Sequence, residues 1–155
     1  MSIATADLYD ERGHELASVS LQLRNYGGVT EFNGPVRTVV CFQDNALAKS
    51  ILSSPGGGAV LVIDGGGSLE TALMGDMIAQ LALDNGWAGV VINGAIRDSV
   101  AIAALPLGVK ALGTNPAKSS KTGAGEADVV VLLGSVAIRP GAHLWADADG
   151  ILVEP

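Results

Sequence analysis

Asp76, Arg97 and Asp98 stand inside the apolar stretch MGDMIAQLALDNGWAGVVINGAIRDS, residues 74–99, of a 155-residue chain in which only 16% of residues are charged. Their types suit one kind of chemistry. A single Asp with water ligands is a common way of holding Mg²⁺, the amides that open a helix at Gly75, Asp76, Met77 and Ile78 take a carboxylate, and an arginine facing the same ligand stabilises an oxygen that gains negative charge. Together they are equipment for metal-assisted chemistry on a 2-oxo acid. Each residue also has a structural reading. Asp98 is a helix N-cap, worth ~1 kcal/mol, Asp76 is a first-turn acid complementing the helix dipole, and Arg97 pairs with one of the two carboxylates. Local sequence leaves both sets of readings open.

The elements around these residues are legible as an alternation. TADLYD reads as a short helix, and DNALAKSILSS (44–54) as a helix capped by Asp44 and stopped by SPGGG. AVLVIDGGG (59–67) is a strand ending in glycines. GDMIAQLALDNG (75–86) is a helix with Met77, Ile78, Leu81 and Ala82 on its apolar face and Gly86 at the C′ position. WAGVVING (87–94) is the next strand, RDSVAIAAL a short helix capped by Asp98, and PLGVKALGTNP a further strand. This rhythm predicts parallel strands with helices packed on them. Asp64, Asp76, Arg97 and Asp98 then fall at C-terminal strand ends or in the next helical turn, the sheet edge where ligands bind in such folds. Beyond SSKTGAGE the pattern shortens to ADVVVLLG, VAIRPG and GILVEP, three antiparallel β-runs separated by GAHLWADADG. The expectation is one mixed α/β domain over residues 1–155.

Composition removes several function classes. A net charge of −7, with nine Lys and Arg spread along the chain, leaves no basic face for nucleic acid or anionic membrane. No window approaches the ~20 apolar residues of a membrane span. A lone cysteine, Cys41 in the buried-strand run RTVVCF, forms no internal disulfide and suits a reducing cytoplasm. It reads as a core residue. DGGGS lacks the glycine spacing of a dinucleotide or P-loop site. KSSKTGAGE, with Lys118 and Lys121, reads as a solvated turn in preference to an anion-binding loop. His14 and His143 lie outside metal-ligand spacing, and Trp87 and Trp145 read as core or interface anchors.

VLVIDGGGSLETALMGDMIAQLALDNGWAGVVINGAIRD followed by LPLGVKALGTNPAKSSKTGAGE resembles the family that holds the regulator of ribonuclease E activity A and the class II, divalent-metal-dependent 4-hydroxy-4-methyl-2-oxoglutarate aldolases. The family motif D-x20-R-D is matched by Asp76, Arg97 and Asp98. The resemblance implies a swivelling β/β/α fold, a homotrimer and a site in the cleft between subunits. It further implies that Asp98 ligates Mg²⁺ or Mn²⁺, that the backbone of Gly75, Asp76, Met77 and Ile78 binds the pyruvyl carboxylate, that Arg97 contacts the keto oxygen, and that Asp76 positions a water for proton transfer. The implied reactions are cleavage of 4-hydroxy-4-methyl-2-oxoglutarate to two pyruvates and decarboxylation of oxaloacetate. Aldolase members carry a further acid a few residues after the R-D pair, whereas Asp98 is followed here by SVAIAALPLG. Looser metal binding follows. The other implied role is that of a protein that binds and inhibits ribonuclease E without binding RNA, for which an acidic surface is suited. No glycine-rich methyl-donor motif supports a methyltransferase.

Overall fold

The computed structural model describes residues 3–155. In chain order its elements are α1 (Thr5–Arg12), β1 (Ala17–Val19), β2 (Arg24–Asn25), β3 (Phe32–Val40), α2 (Ala46–Leu52), β4 (Val60–Asp64), β5 (Ala72–Met74), α3 (Asp76–Asp84), β6 (Gly89–Ile96), α4 (Ser99–Ala103), β7 (Gly108–Thr114), β8 (Glu126–Ala127), β9 (Val131–Leu133), β10 (Val136–Ile138), β11 (His143–Asp147) and β12 (Gly150–Val153).

VLVI in β4 and VVI in β6 are apolar at successive positions, the pattern of strands covered on both faces. They pair in parallel, with β3 on one side and β7 on the other. Side chains alternate across the sheet. Leu61, Ile63, Val90 and Ile92 share a core with Ala48 and Leu52 of α2, Ala79 and Ala82 of α3, and Ile102 of α4. Val60, Val62 and Val91 point the opposite way, into a second core with Leu133, Ile138, Leu144, Ile151 and Val153. The result is a mixed α/β domain of three layers: helices, a parallel sheet, and shorter strands on the far face. Strand β3 joins the last two layers, since Phe32–Pro35 pair antiparallel with β11 while Val36–Val40 pair parallel with β4. Beyond β11 the sheet continues antiparallel through β12 to β1.

The predicted alternation of strand and helix is present from α2 to β7, and Gly86 (φ +78°) ends α3 as expected. Three expectations require correction. GAHLWADADG does not merely separate strands: His143–Asp147 form β11, with Leu144 and Ala146 buried and His143 and Trp145 half-exposed. Met77 does not join the buried face of α3, which consists of Ile78, Ala79 and Ala82, but is 77% exposed. Asp44 is not the N-cap of α2; Asn45 occupies that position.

Cys41, just beyond β3, is buried, and burial pushes its thiol up to about 11, which removes it as a nucleophile at neutral pH. Trp87 is a core residue whose indole N–H donates to Ser54 O at 3.0 Å. No helix among the described residues is long and apolar enough to cross a membrane.

Candidate functional site

The turn from β5 into α3 and the turn from β6 into α4 lie side by side because β5 pairs with the end of β6. Arg97 N–H donates to Met74 O at 3.0 Å, and Asp76 N–H donates to Asp98 Oδ2 at 3.0 Å. Asp98 does stand at the start of α4, but it makes no cap there. Its backbone is left-handed (φ +59°), which Asp tolerates better than most residues, and its carboxylate turns back to the first turn of α3 instead. Gly75 begins α3 and has no side chain with which to cap it. The first-turn amides of Met77 and Ile78 therefore have neither an i−4 carbonyl nor a capping side chain. A Cβ at position 75 would lie 2.7 Å from Asp98 Oδ2 and 3.3 Å from Arg97 Nε, so glycine is what lets both side chains fold over this turn.

Arg97 loses the structural reading that the sequence offered for it. Its side chain is exposed, with a long 3.4 Å contact from Nη1 to Pro116 O. Ion pairs among the described residues join Arg12 and His14 to Glu15, and Arg37 to Asp128, but none joins Arg97 to Asp76 or Asp98. The structural Arg–Asp pair is absent, and the guanidinium is left facing a cleft of about 700 Å³.

The opposite wall of that cleft is one that sequence reasoning missed. Segment 117–123 is stitched between β5 and the start of α2: Ala72 N–H donates to Ala117 O at 2.8 Å, Ser120 N–H to Gln43 O at 2.9 Å, and Asn45 N–H to Ser120 O at 3.1 Å. Asp44 locks it. Its carboxylate accepts from Thr122 N–H (2.7 Å), Thr122 Oγ1–H (2.6 Å), Gly123 N–H (3.1 Å) and Ala46 N–H (3.2 Å). The KSSKTGAGE turn is exposed, as expected, apart from the buried Ser119, but its backbone is held in place as a wall of the cleft. Lys118 and Lys121 reach the cleft from it, and Lys49 from α2, so that with Arg97 four of the nine basic residues meet in one place.

The hydrogen bonds from Thr122 hold the Asp44 carboxyl down to about 2. A depressed carboxyl contributes stability above its unfolded value, near 4, and loses it as pH falls through the folded value. Protection of the Thr122 and Gly123 amides, taken as the ratio of intrinsic to observed exchange rate, should accordingly be high at neutral pH and fall between about pH 4 and pH 2. Exchange that is already fast at neutral pH would show the wall is not held this way.

Asp64 lies outside the cleft, accepting from Gly66 N–H at 3.0 Å. The DGGGS amides are also consumed internally, Gly65 and Gly67 both donating to Asn93 O at 3.1 Å and Gly66 to Asp64, so the glycines offer no free amide to a phosphate.

For a divalent cation, the donor set is small. Among the described residues no three His, Cys, Asp or Glu side chains gather into a metal cluster. Asp98 is exposed in the cleft and commits only Oδ2 to a protein hydrogen bond. One free carboxylate oxygen beside open space fits a hard cation that keeps most of its water and shares the rest with a substrate, as Mg²⁺ does. It does not fit a closed, all-protein cage.

The RraA-like family profile (Aldolase/RraA) matches residues 5–153. The chain belongs to the RraA-like family. This family holds both 4-hydroxy-4-methyl-2-oxoglutarate aldolases and inhibitors of ribonuclease E. Among solved structures the chain is similar to one from Geobacillus kaustophilus described as S-adenosylmethionine:2-dimethylmenaquinone methyltransferase, at 49% identity and a TM-score of 0.96, covering 98% of this chain and 94% of that one. It is similar to the RNA-processing inhibitor RraA from Thermus thermophilus at 44% identity and a TM-score of 0.96, covering 100% and 94%. Streptomyces coelicolor RraAS2, described as an unusual member of the RNase ES inhibitor RraA family, matches at 29% identity and a TM-score of 0.80, covering 100% and 81%. The RraA-like fold brings Gly75, Asp76, Met77, Ile78, Arg97 and Asp98 to one cleft, as their spacing suggested. Asn45 and Lys49 join it from a segment some thirty residues earlier, with Asp44 beside them locking the wall, and nothing local to their sequence marks them for this.

Proposed function

We propose that this RraA-like protein is a divalent-metal-dependent lyase that cleaves 4-hydroxy-4-methyl-2-oxoglutarate to two pyruvates and decarboxylates oxaloacetate. The observation that carries the reading is Arg97, unpaired with either neighbouring carboxylate and facing the cleft beside the open amides of α3. The amides of Met77 and Ile78 bind the pyruvyl carboxylate, and Arg97 takes the keto oxygen. Breaking the C3–C4 bond leaves its electron pair on C3, from which it spreads to that oxygen, while the C4 hydroxyl becomes a carbonyl and gives up its proton. Asp76, exposed at the cleft edge, holds the water through which this proton leaves and C3 is reprotonated. Asp98 would hold Mg²⁺ or Mn²⁺, which when bound supplies a Lewis acid to the same oxygen. The test is pyruvate release by purified protein with either metal, against metal alone as baseline because free divalent metal also decarboxylates oxaloacetate. Release no faster than that baseline across a wide metal range would reject the lyase.

The same reading includes a homotrimer with the cleft between subunits. Asp76, Arg97 and Asp98 are exposed in the single chain, and beside them Met77 (77%) and Val100 (88%) present bare apolar side chains. A neighbouring copy would cover them and exclude water from the chemistry. Sedimentation at micromolar concentration should give a single species of three chains; a monomer would remove the shared cleft.

A second reading is supported by the 44% identity to the RNA-processing inhibitor RraA. In it the acidic trimer binds ribonuclease E as a protein partner, without itself binding RNA. Asp98→Ala should then leave inhibition intact, since a surface contact does not depend on a residue inside the cleft.

A further inference from the structure

We infer that α1 is a releasable strap: it opens and closes over the outer face of β11 and β12 while the rest of the fold stays intact, and the Asp147 carboxylate is its catch. None of the described residues that line the lyase cleft lies on α1, so this inference stands or falls separately from the function proposed above.

The movable half is loosely held. Of the eight residues of α1, Thr5 and Leu8 alone are buried. Leu8 joins Leu16 and Leu152, with Trp145 packed alongside, in a small cluster separate from the two cores that flank the parallel sheet. A groove of about 360 Å³, lined by Thr5, Tyr9 and Asp10 of the helix and by Ser18, Val19 and Leu152 of the strands, keeps part of α1 from close packing. Eight residues fall short of the ~12–15 that an isolated helix needs in water. Ala4, at the N-cap position, has no side chain to accept from the first-turn amides. α1 is therefore helical because it is docked, and undocking unfolds it.

The fixed half is built into the body of the fold. Asp147 ends β11, and its carbonyl accepts at 2.7 Å from the ammonium of Lys110, which is 2% exposed in β7. Its Oδ1 accepts from Asp149 N–H at 2.9 Å. Neither bond involves α1, so both persist when the helix leaves, and the carboxylate stays aimed and partly satisfied. To this anchored group Thr5 donates twice, N–H to Oδ2 and Oγ1–H to Oδ1, each at 2.7 Å. The first bond supplies from across the chain the cap that Ala4 cannot, and it sets a negative charge at the N-terminus of the helix. Among the described residues no other hydrogen bond joins α1 to the strands. Attachment thus runs through one residue, and its release bares Leu152 and Trp145, which stand opposite each other on β12 and β11.

The experiment follows hydrogen exchange by mass spectrometry in the full chain, comparing α1 amides with those of β4 and β6 in wild type, Thr5→Val, Asp147→Ala and Ala4→Ser. Trypsin cleavage after Arg12, the last residue of α1, is the second readout, since a docked helix resists it. In wild type, α1 should be at least ~10-fold less protected than β4 and β6, as a unit that opens on its own. Thr5→Val keeps the shape of the side chain and removes one hydrogen bond to a carboxylate, so it should raise the open fraction ~10-fold; Asp147→Ala, which removes both, should raise it ~100-fold. Ala4→Ser gives the helix a cap of its own and should lower it ~5-fold. In all three variants the protection of β4 and β6 should stay at the wild-type level. Asp147→Ala also loosens the β11–β12 turn, which makes Thr5→Val the deciding variant. If α1 exchanges in step with β4 and β6, or Thr5→Val affects all three alike, the helix belongs to one cooperative unit and the strap is overturned. Protection and cleavage of α1 unchanged in Thr5→Val overturn Asp147 as the catch.

Discussion

Arg97→Ala and Asp98→Ala are each expected to lower pyruvate release by ~10²–10³-fold, the usual cost of removing one preorganised stabiliser of a developing oxyanion. For Arg97 the loss is specific to that role, because its side chain makes only a long contact to Pro116 O and joins no ion pair among the described residues. Its removal should leave the thermal midpoint nearly unchanged. Asp98 requires more care. Its Oδ2 accepts from Asp76 N–H, so Asp98→Ala also strips the start of α3 of an acceptor, at about 1 kcal/mol. Asp98→Asn keeps a side-chain oxygen for that bond and loses only the charge. Both Asp98 variants should raise the metal concentration needed for half-maximal rate. Gly75→Ala is the remote version of the same experiment, since its Cβ at 2.7 Å from Asp98 Oδ2 must displace the carboxylate. Full activity in Arg97→Ala and Asp98→Asn would remove the chemistry from this cleft.

The largest effect on stability is expected at Phe32. Gly89 and Gly108 are paired in register on β6 and β7, and the Phe32 ring lies over both, occupying the space their missing side chains leave open. Phe32→Ala should cost about 3–5 kcal/mol in unfolding free energy, the range for a buried aromatic whose cavity is only partly refilled. Gly108→Ala attacks the same packing from the other side. Its Cβ would collide with the ring, and overpacking of this kind costs about 1–3 kcal/mol. Because each change relieves part of the damage done by the other, the double variant should be more stable than the sum of the single losses allows. Strict additivity in urea denaturation would mean the ring and the glycine do not share that space.

These two sites differ in how much of them was legible beforehand. Strands β4 and β6 and helices α2 and α3 follow from apolar runs and period, and Asp76, Arg97 and Asp98 from spacing at strand ends. Those signals are local. β11 does not show in the sequence, because its inward residues, Leu144 and Ala146, alternate with His143 and Trp145 among small and acidic neighbours that imitate a turn. Local sequence makes Asp98 a cap for its own helix, but its left-handed backbone aims the carboxylate at a different one. Met77 fits the apolar period of α3 only at the margin of a buried face set by Ile78, Ala79 and Ala82, and it lines the cleft instead. The lysine wall depends on Asp44 reaching Thr122 and Gly123 across 78 and 79 residues. No periodicity carries information over that distance; only the docked fold does.

The closure of the sheet through β1 and β12 bears on how the chain reaches this fold. Thr5 donates through its backbone N–H and its hydroxyl, each at 2.7 Å, to the carboxylate of Asp147, 142 residues away. Lys110, buried in β7, donates to the carbonyl of the same Asp147 at 2.7 Å. Among the described residues β1 finds its only strand partner in β12. During synthesis β1 therefore stays unpaired until β12 has been made, while β3 to β7 can already assemble. Such high contact order slows folding and leaves the edge of β3 that later takes β11 open to other chains in the interval. Refolding should accordingly show an early phase reported by the buried Trp87 and a later one reported by Trp145 on β11.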